Sequence, residues 1–100
     1  AWLEASLYGL DPQTRDRFWE PGPDGIRRFG WDGQSPDGSG STANVLGPRS
    51  VGHLGFTGTS LWIDRDAEAI YVLLSNCVHP RRDARIKAFR RDFHRLAERL

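Results

Sequence analysis

Three glycines stand three residues apart around one histidine in the run Gly52-His53-Leu54-Gly55-Phe56-Thr57-Gly58. Glycine weakens a strand, so this spacing needs a physical reason, and close approach of a ligand or of a second backbone is the usual one. His53 lies inside the run as a group that can carry a proton or donate a hydrogen bond near neutral pH. The competing reading is a strand histidine bonded to a backbone carbonyl, with Gly55 and Gly58 serving turns.

No self-sufficient catalytic motif accompanies this run. The sequence contains no Gly-x-Ser-x-Gly, no His-Glu-x-x-His and no phosphate-binding loop; Lys87 is the only lysine, and no serine stands three residues before it. Cys77 is the single cysteine, which excludes an internal disulfide and any two-cysteine metal framework. With His79 it makes only two ligands, so no metal and no cofactor is implied.

The 100 residues are 38% hydrophobic, enough for one small globular unit or part of one. No apolar run approaches the length of a membrane span, and no basic segment followed by an apolar one marks an export leader. The opening AWLEASLYG reads as helix already under way, without a capping residue before it, which predicts that the chain is a piece of a longer one. Residues 81–100 carry eight basic and three acidic side chains, a net +5 against −4 for the rest. That basic segment has an apolar stripe and no aromatic residues on its basic face, so nucleic acid is not the expected partner.

The elements that must position the glycine run follow from periodicity. Residues 1–8 read as the last turns of a helix ended by Gly9, and a second helix starts at the cap Asp11 with Pro12 in its first turn. Ile26 to Trp31 is a short strand candidate, and residues 33–44 (GQSPDGSGSTAN) form a loop by composition, either a flexible excursion or a substrate-side loop. Strand candidates at 50–55, 59–64 and 69–75 are joined by short connections and predict an antiparallel meander. The last of these, AIYVLLS, is apolar throughout and calls for cover on both faces and a second strand neighbour. From Asp83 the pattern turns helical, with Ile86, Phe89, Phe93, Leu96 and Leu100 in one apolar stripe. The fold class is therefore α+β, an antiparallel sheet packed with helices.

These segments resemble the C-terminal part of the serine β-lactamase-like hydrolases, which include penicillin-binding proteins and esterases. His53-Leu54-Gly55 is similar to the family's Lys-Thr-Gly element, in which His sometimes replaces Lys. GTSLWIDRDAEAIYVLLSN resembles its last two strands, Leu74-Ser75-Asn76 its strand-ending Leu-x-Asn, and Val78-His79-Pro80 the turn into its C-terminal helix. LDPQTRDRFWEP followed by FGWD is similar to the helix and the strand before that element. The resemblance implies an incomplete β-lactamase/transpeptidase-like fold and acyl-enzyme chemistry on a small-molecule ester or amide, with the nucleophile in an N-terminal part of the same domain. It implies catalytic roles for His53, Gly55 and the Phe56 N–H, the last as an oxyanion donor, and substrate contacts for Leu54, Thr57 and Arg85. The alternative for Arg85 is a solvated helix face, and for Thr57 a sheet or turn residue, since no base lies near it in the sequence. Leu54 stands where the family carries Thr or Ser, which favours a carboxylesterase over a true β-lactamase. A non-catalytic binding or scaffold domain of the same fold is the alternative to an enzyme. Family members are frequently exported; the sequence itself assigns no compartment.

Overall fold

A computed structural model describes residues 11–100, so the helix expected over residues 1–8 lies outside the described residues. Helix α1 spans Pro12–Phe18, strand β1 Asp32–Gly33, β2 Val51–Leu54, β3 Ser60–Asp64, β4 Ala69–Leu73 and helix α2 Ile86–Ala97. The strands form one antiparallel sheet in the order β1-β2-β3-β4, the meander that the short connections require. Asp11 caps α1 by accepting from Thr14 N and Thr14 Oγ1, both at 2.9 Å, and Pro12 occupies the first turn.

Register divides the sheet into two faces. Val51 pairs with Ile63 and His53 with Leu61, which in turn pairs with Val72. Alternation places these residues on one face and Gly52, Trp62 and Tyr71 on the other. On the first face, Val51 and Ile63 are buried against Trp19 at the end of α1, with Trp31 packed beside them edge-on to Trp19. The half of that face holding His53, Leu61 and Val72 is open: His53 and Val72 are exposed and Leu61 is half-buried. α2 lies along β4 on the opposite face, where His94 meets the Tyr71 ring at 5.9 Å.

Two expectations about elements are corrected. Residues 26–31 do not form a strand; the chain folds back on itself there, with Gly33 N–H donating to Ile26 O at 2.7 Å and Arg28 N–H to Trp31 O at 2.8 Å. Gly30, at φ +73°, supplies the left-handed backbone that this reversal needs; the segment keeps one isolated antiparallel bridge, Arg27 to Asp32, and pairing with β2 starts at Asp32. The apolar stripe of α2 is also split. The helix buries Arg90 and His94, with Ile86, Phe93 and Ala97 half-buried beside them, and leaves Phe89 and Leu96 exposed. The Arg90 guanidinium and His94 Nδ1 find backbone carbonyls, so the helix can turn this mixed face inward.

The Gly- and Ser-rich loop is tied down. Gln34 donates to Leu46 O and Gly47 O and accepts from Thr42 Oγ1 at 2.7 Å. Arg91 donates to Gly38 O at 2.7 Å and to Gly40 O, and His94 donates from Nδ1 to Ser41 O at 3.0 Å. β4 has one strand neighbour, β3, among the described residues, and both Val72 and Leu74 are exposed, so the two-sided cover expected for AIYVLLS is absent from them.

Candidate active site

The three glycines have separate causes. Gly52 faces Trp62 across β2 and β3, and a Cβ on it would meet the indole at 2.2 Å and the Leu61 carbonyl at 2.6 Å, so the glycine makes room for a buried tryptophan. A Cβ on Gly55 would fall 2.0 Å from Thr59 Oγ1. Gly58 adopts φ +108° and closes the hairpin between β2 and β3, its N–H donating to Gly55 O at 3.1 Å while Gly55 N–H donates to Thr59 O at 2.8 Å. The close approach inferred from the spacing is thus real, and its partners are other atoms of this chain: the Trp62 indole and Leu61 carbonyl at Gly52, the Thr59 hydroxyl at Gly55 and the Ser75 hydroxyl at Gly58.

The hairpin is held from behind through every carbonyl from 55 to 59. Cys77 N–H donates to Thr57 O at 2.7 Å, and its thiol lies 3.7 Å from Phe56 O. Arg90 reaches from α2 and donates through Nε to Gly58 O at 3.3 Å and through Nη2 to Gly55 O and Thr59 O, both at 3.2 Å. The N–H groups of Phe56 and Thr57 have no partner among the described residues. Both residues are exposed, and the Phe56 ring lies 5.5 Å from the Arg82 guanidinium. A turn with its carbonyls occupied and two N–H groups unpaired offers donors to an anion.

His53 is exposed at the end of β2, and its ring is oriented by a 2.8 Å bond from Nδ1 to Leu54 O. With the proton on Nδ1, Nε2 is left to accept from a neighbouring group. His53, Leu54 and Gly55 line an open groove of about 380 Å³ with Thr59, Leu61, Val72 and Leu74. The structure therefore gathers five of the six expected site residues, His53 to Thr57, into one strand end and turn.

Arg85 stands apart from them. It precedes α2 and forks onto Asp83 with contacts of 2.6–3.1 Å, a pairing that holds the Asp83 carboxyl at about 2. It borders a different hollow of about 330 Å³, lined with Cys77, Ile86 and Phe89 among others, which shares no lining residue with the groove at His53. Asn76 accepts from Val78 N–H and His79 N–H at 3.0 Å and so shapes the turn that leads into this region.

Arg90 and Cys77 escaped the sequence reading. Their partners are backbone carbonyls, which leave no side-chain signature, and arginines near an apolar stripe ordinarily face solvent. Among the described residues no group of three or more His, Cys, Asp and Glu side chains is arranged to hold a metal ion. Nor is any helix among them long and apolar enough to cross a membrane.

The family model for Beta-lactamase matches residues 3–95. The chain belongs to the beta-lactamase family. No curated protein and no solved structure matches it significantly. Membership makes the α+β sheet and its helices part of a serine hydrolase fold, and gives the family its hydrolase character. In this beta-lactamase-family chain the His53-Leu54-Gly55 run ends at the turn with unpaired N–H groups, where the family resemblance had placed an oxyanion donor.

Proposed function

We propose that these residues form one wall of the active site of an acyl-transfer serine hydrolase acting on a small ester or amide, carboxylesterase-like in preference to a true β-lactamase. In this reading they are the C-terminal portion of a single domain, and the nucleophilic serine and its base come from residues outside this sequence. The serine oxygen gives its proton to that base as it attacks the substrate carbonyl carbon, the C=O pair moves onto oxygen, and the base passes the proton to the leaving group when the intermediate collapses. The Phe56 N–H and the N–H of the nucleophile bind that oxyanion until it collapses and expels the alcohol or amine. Water then hydrolyses the acyl-enzyme by the same sequence. His53 presents a ring nitrogen to the substrate side and orients or balances charge there. The observation that carries this reading is the unpaired Phe56 N–H on a hairpin whose carbonyls are all bonded. Leu54 brings no hydroxyl to the strand, which supports ester over β-lactam substrates.

The test removes the N–H and little else. Phe56 is the second residue of the turn closed by the Gly58 N–H to Gly55 O bond, where proline is favoured in type I and II turns. In the full-length protein, Phe56→Pro should lower kcat for a p-nitrophenyl ester by about 100-fold or more, the effect of losing one oxyanion donor. Phe56→Ala retains the N–H and should lose far less. Equal losses in the two variants would remove Phe56 from the oxyanion hole. A wild-type protein that neither turns over the ester nor reacts with a fluorophosphonate would make the domain a non-catalytic scaffold.

A further inference from the structure

We infer that Arg90 is the positioning residue of this site: from the back of the hairpin it fixes the peptide plane whose N–H serves as oxyanion donor. The inference rests on the proposed acyl-transfer reading. Arg90 is 7% exposed, and its guanidinium bonds three carbonyls of one turn, lying 31 to 35 residues earlier in the chain. A buried cation is costly unless its donors are satisfied, so this side chain commits the hairpin to a single arrangement.

The decisive bond is the one to Gly55 O. That oxygen belongs to the same peptide unit as the Phe56 N–H, and it accepts from both Arg90 Nη2 at 3.2 Å and Gly58 N–H at 3.1 Å. Two donors on the carbonyl fix the plane of a trans peptide and leave its N–H pointing away from them. They also polarise the unit, which makes the N–H a stronger donor. The planar fork of arginine can span Gly55, Gly58 and Thr59 together, whereas a lysine ammonium is a compact point charge on a flexible stem. Arg90 touches no substrate in this arrangement and acts through the turn.

The experiment uses the full-length protein with Arg90→Lys and Arg90→Ala, a p-nitrophenyl ester and amide hydrogen exchange. Displacing the donor should lower kcat of Arg90→Ala by about 100-fold, the cost of a misplacement on the order of 1 Å, with KM little changed. Arg90→Lys should fall between, and added methylguanidinium should restore part of the Arg90→Ala rate. Exchange at the bonded Gly55 and Gly58 amides should accelerate while the β3 amides hold their rates. Unchanged kcat and unchanged Gly55 and Gly58 exchange would overturn the inference. So would a kcat loss that only tracks the folded fraction and resists rescue. If Arg90→Ala does not fold, Arg90→Lys carries the same comparison. Failure of the acyl-transfer reading shows separately, as equal turnover in Phe56→Pro and Phe56→Ala, and would end Arg90's catalytic role even where exchange shows that it orders the hairpin.

Discussion

His94 shows how one residue can carry both packing and a proton balance. It is fully buried, and its Nδ1 lies 2.8 Å from Arg90 O and 3.0 Å from Ser41 O. Both partners are acceptors, so Nδ1 carries the proton, and Nε2 has no partner among the described residues. Burial pushes the His94 pKa below its ordinary 6.5; the two carbonyl bonds oppose that shift and the Arg90 charge adds to it. The unfolded chain therefore binds this proton more readily than the folded one. Stability from His94 is fully present above the unfolded value of 6.5 and is lost as pH falls beneath it toward the depressed folded value. Thermal melts between about pH 7.5 and 5 should show Tm falling with acid, with a smaller slope in His94→Asn, which cannot titrate there. Equal slopes in the two proteins would assign the acid sensitivity to other groups. The place of His94 in the helical pattern is plain from the sequence; its burial is not, because polar residues of an amphipathic helix ordinarily face solvent.

At the scale of elements, Asp64 joins two connections that the sheet depends on. The residue ends β3 and is buried, with Oδ2 accepting from Gly47 N–H at 2.9 Å and Oδ1 from Asp66 N–H and Ala67 N–H, both at 3.0 Å. It ties the loop entering β2 to the turn between β3 and β4. Asp64→Ala strands these donors and should cost about 3 kcal/mol in urea unfolding, while Asp64→Asn, which keeps an acceptor oxygen, should cost less. Equal costs would mean that the carboxylate charge and its second acceptor oxygen, which both variants lose, carry the effect and that one retained acceptor does not. The strands at 51–54, 60–64 and 69–73 were legible because short polar connections separate apolar runs. The segment 26–31 was misread because aromatic content mimics a strand while Gly30 reverses the chain. The inward face of α2 was misread because two long polar side chains replaced apolar ones at Arg90 and His94. Of the site, His53 to Thr57 could be read from glycine spacing and family resemblance. The carbonyls that hold the turn could not, since backbone acceptors are the same for every residue type.

For the molecule as a whole, the open half of the sheet and the outer side of α2 decide behaviour in solution. Val72 is 53% exposed and Leu74 78%, next to an edge of β4 without a strand neighbour among the described residues. Phe89 and Leu96 add apolar surface on α2. An exposed edge with apolar side chains is a template for pairing with another chain, and charge on such an edge is the usual protection. Residues 69–74 carry no charged side chain. Expressed as these 100 residues, the protein should therefore self-associate, with a weight-average mass in sedimentation that rises with concentration. Val72→Lys with Leu74→Lys places two charges on the open face without touching a buried position, and should shift the population toward monomer while leaving the β2–β3 hairpin intact. A wild-type chain that stays monomeric and melts cooperatively would show that this edge and face are already protected, and association would then have no bearing on how the hairpin at His53 is presented.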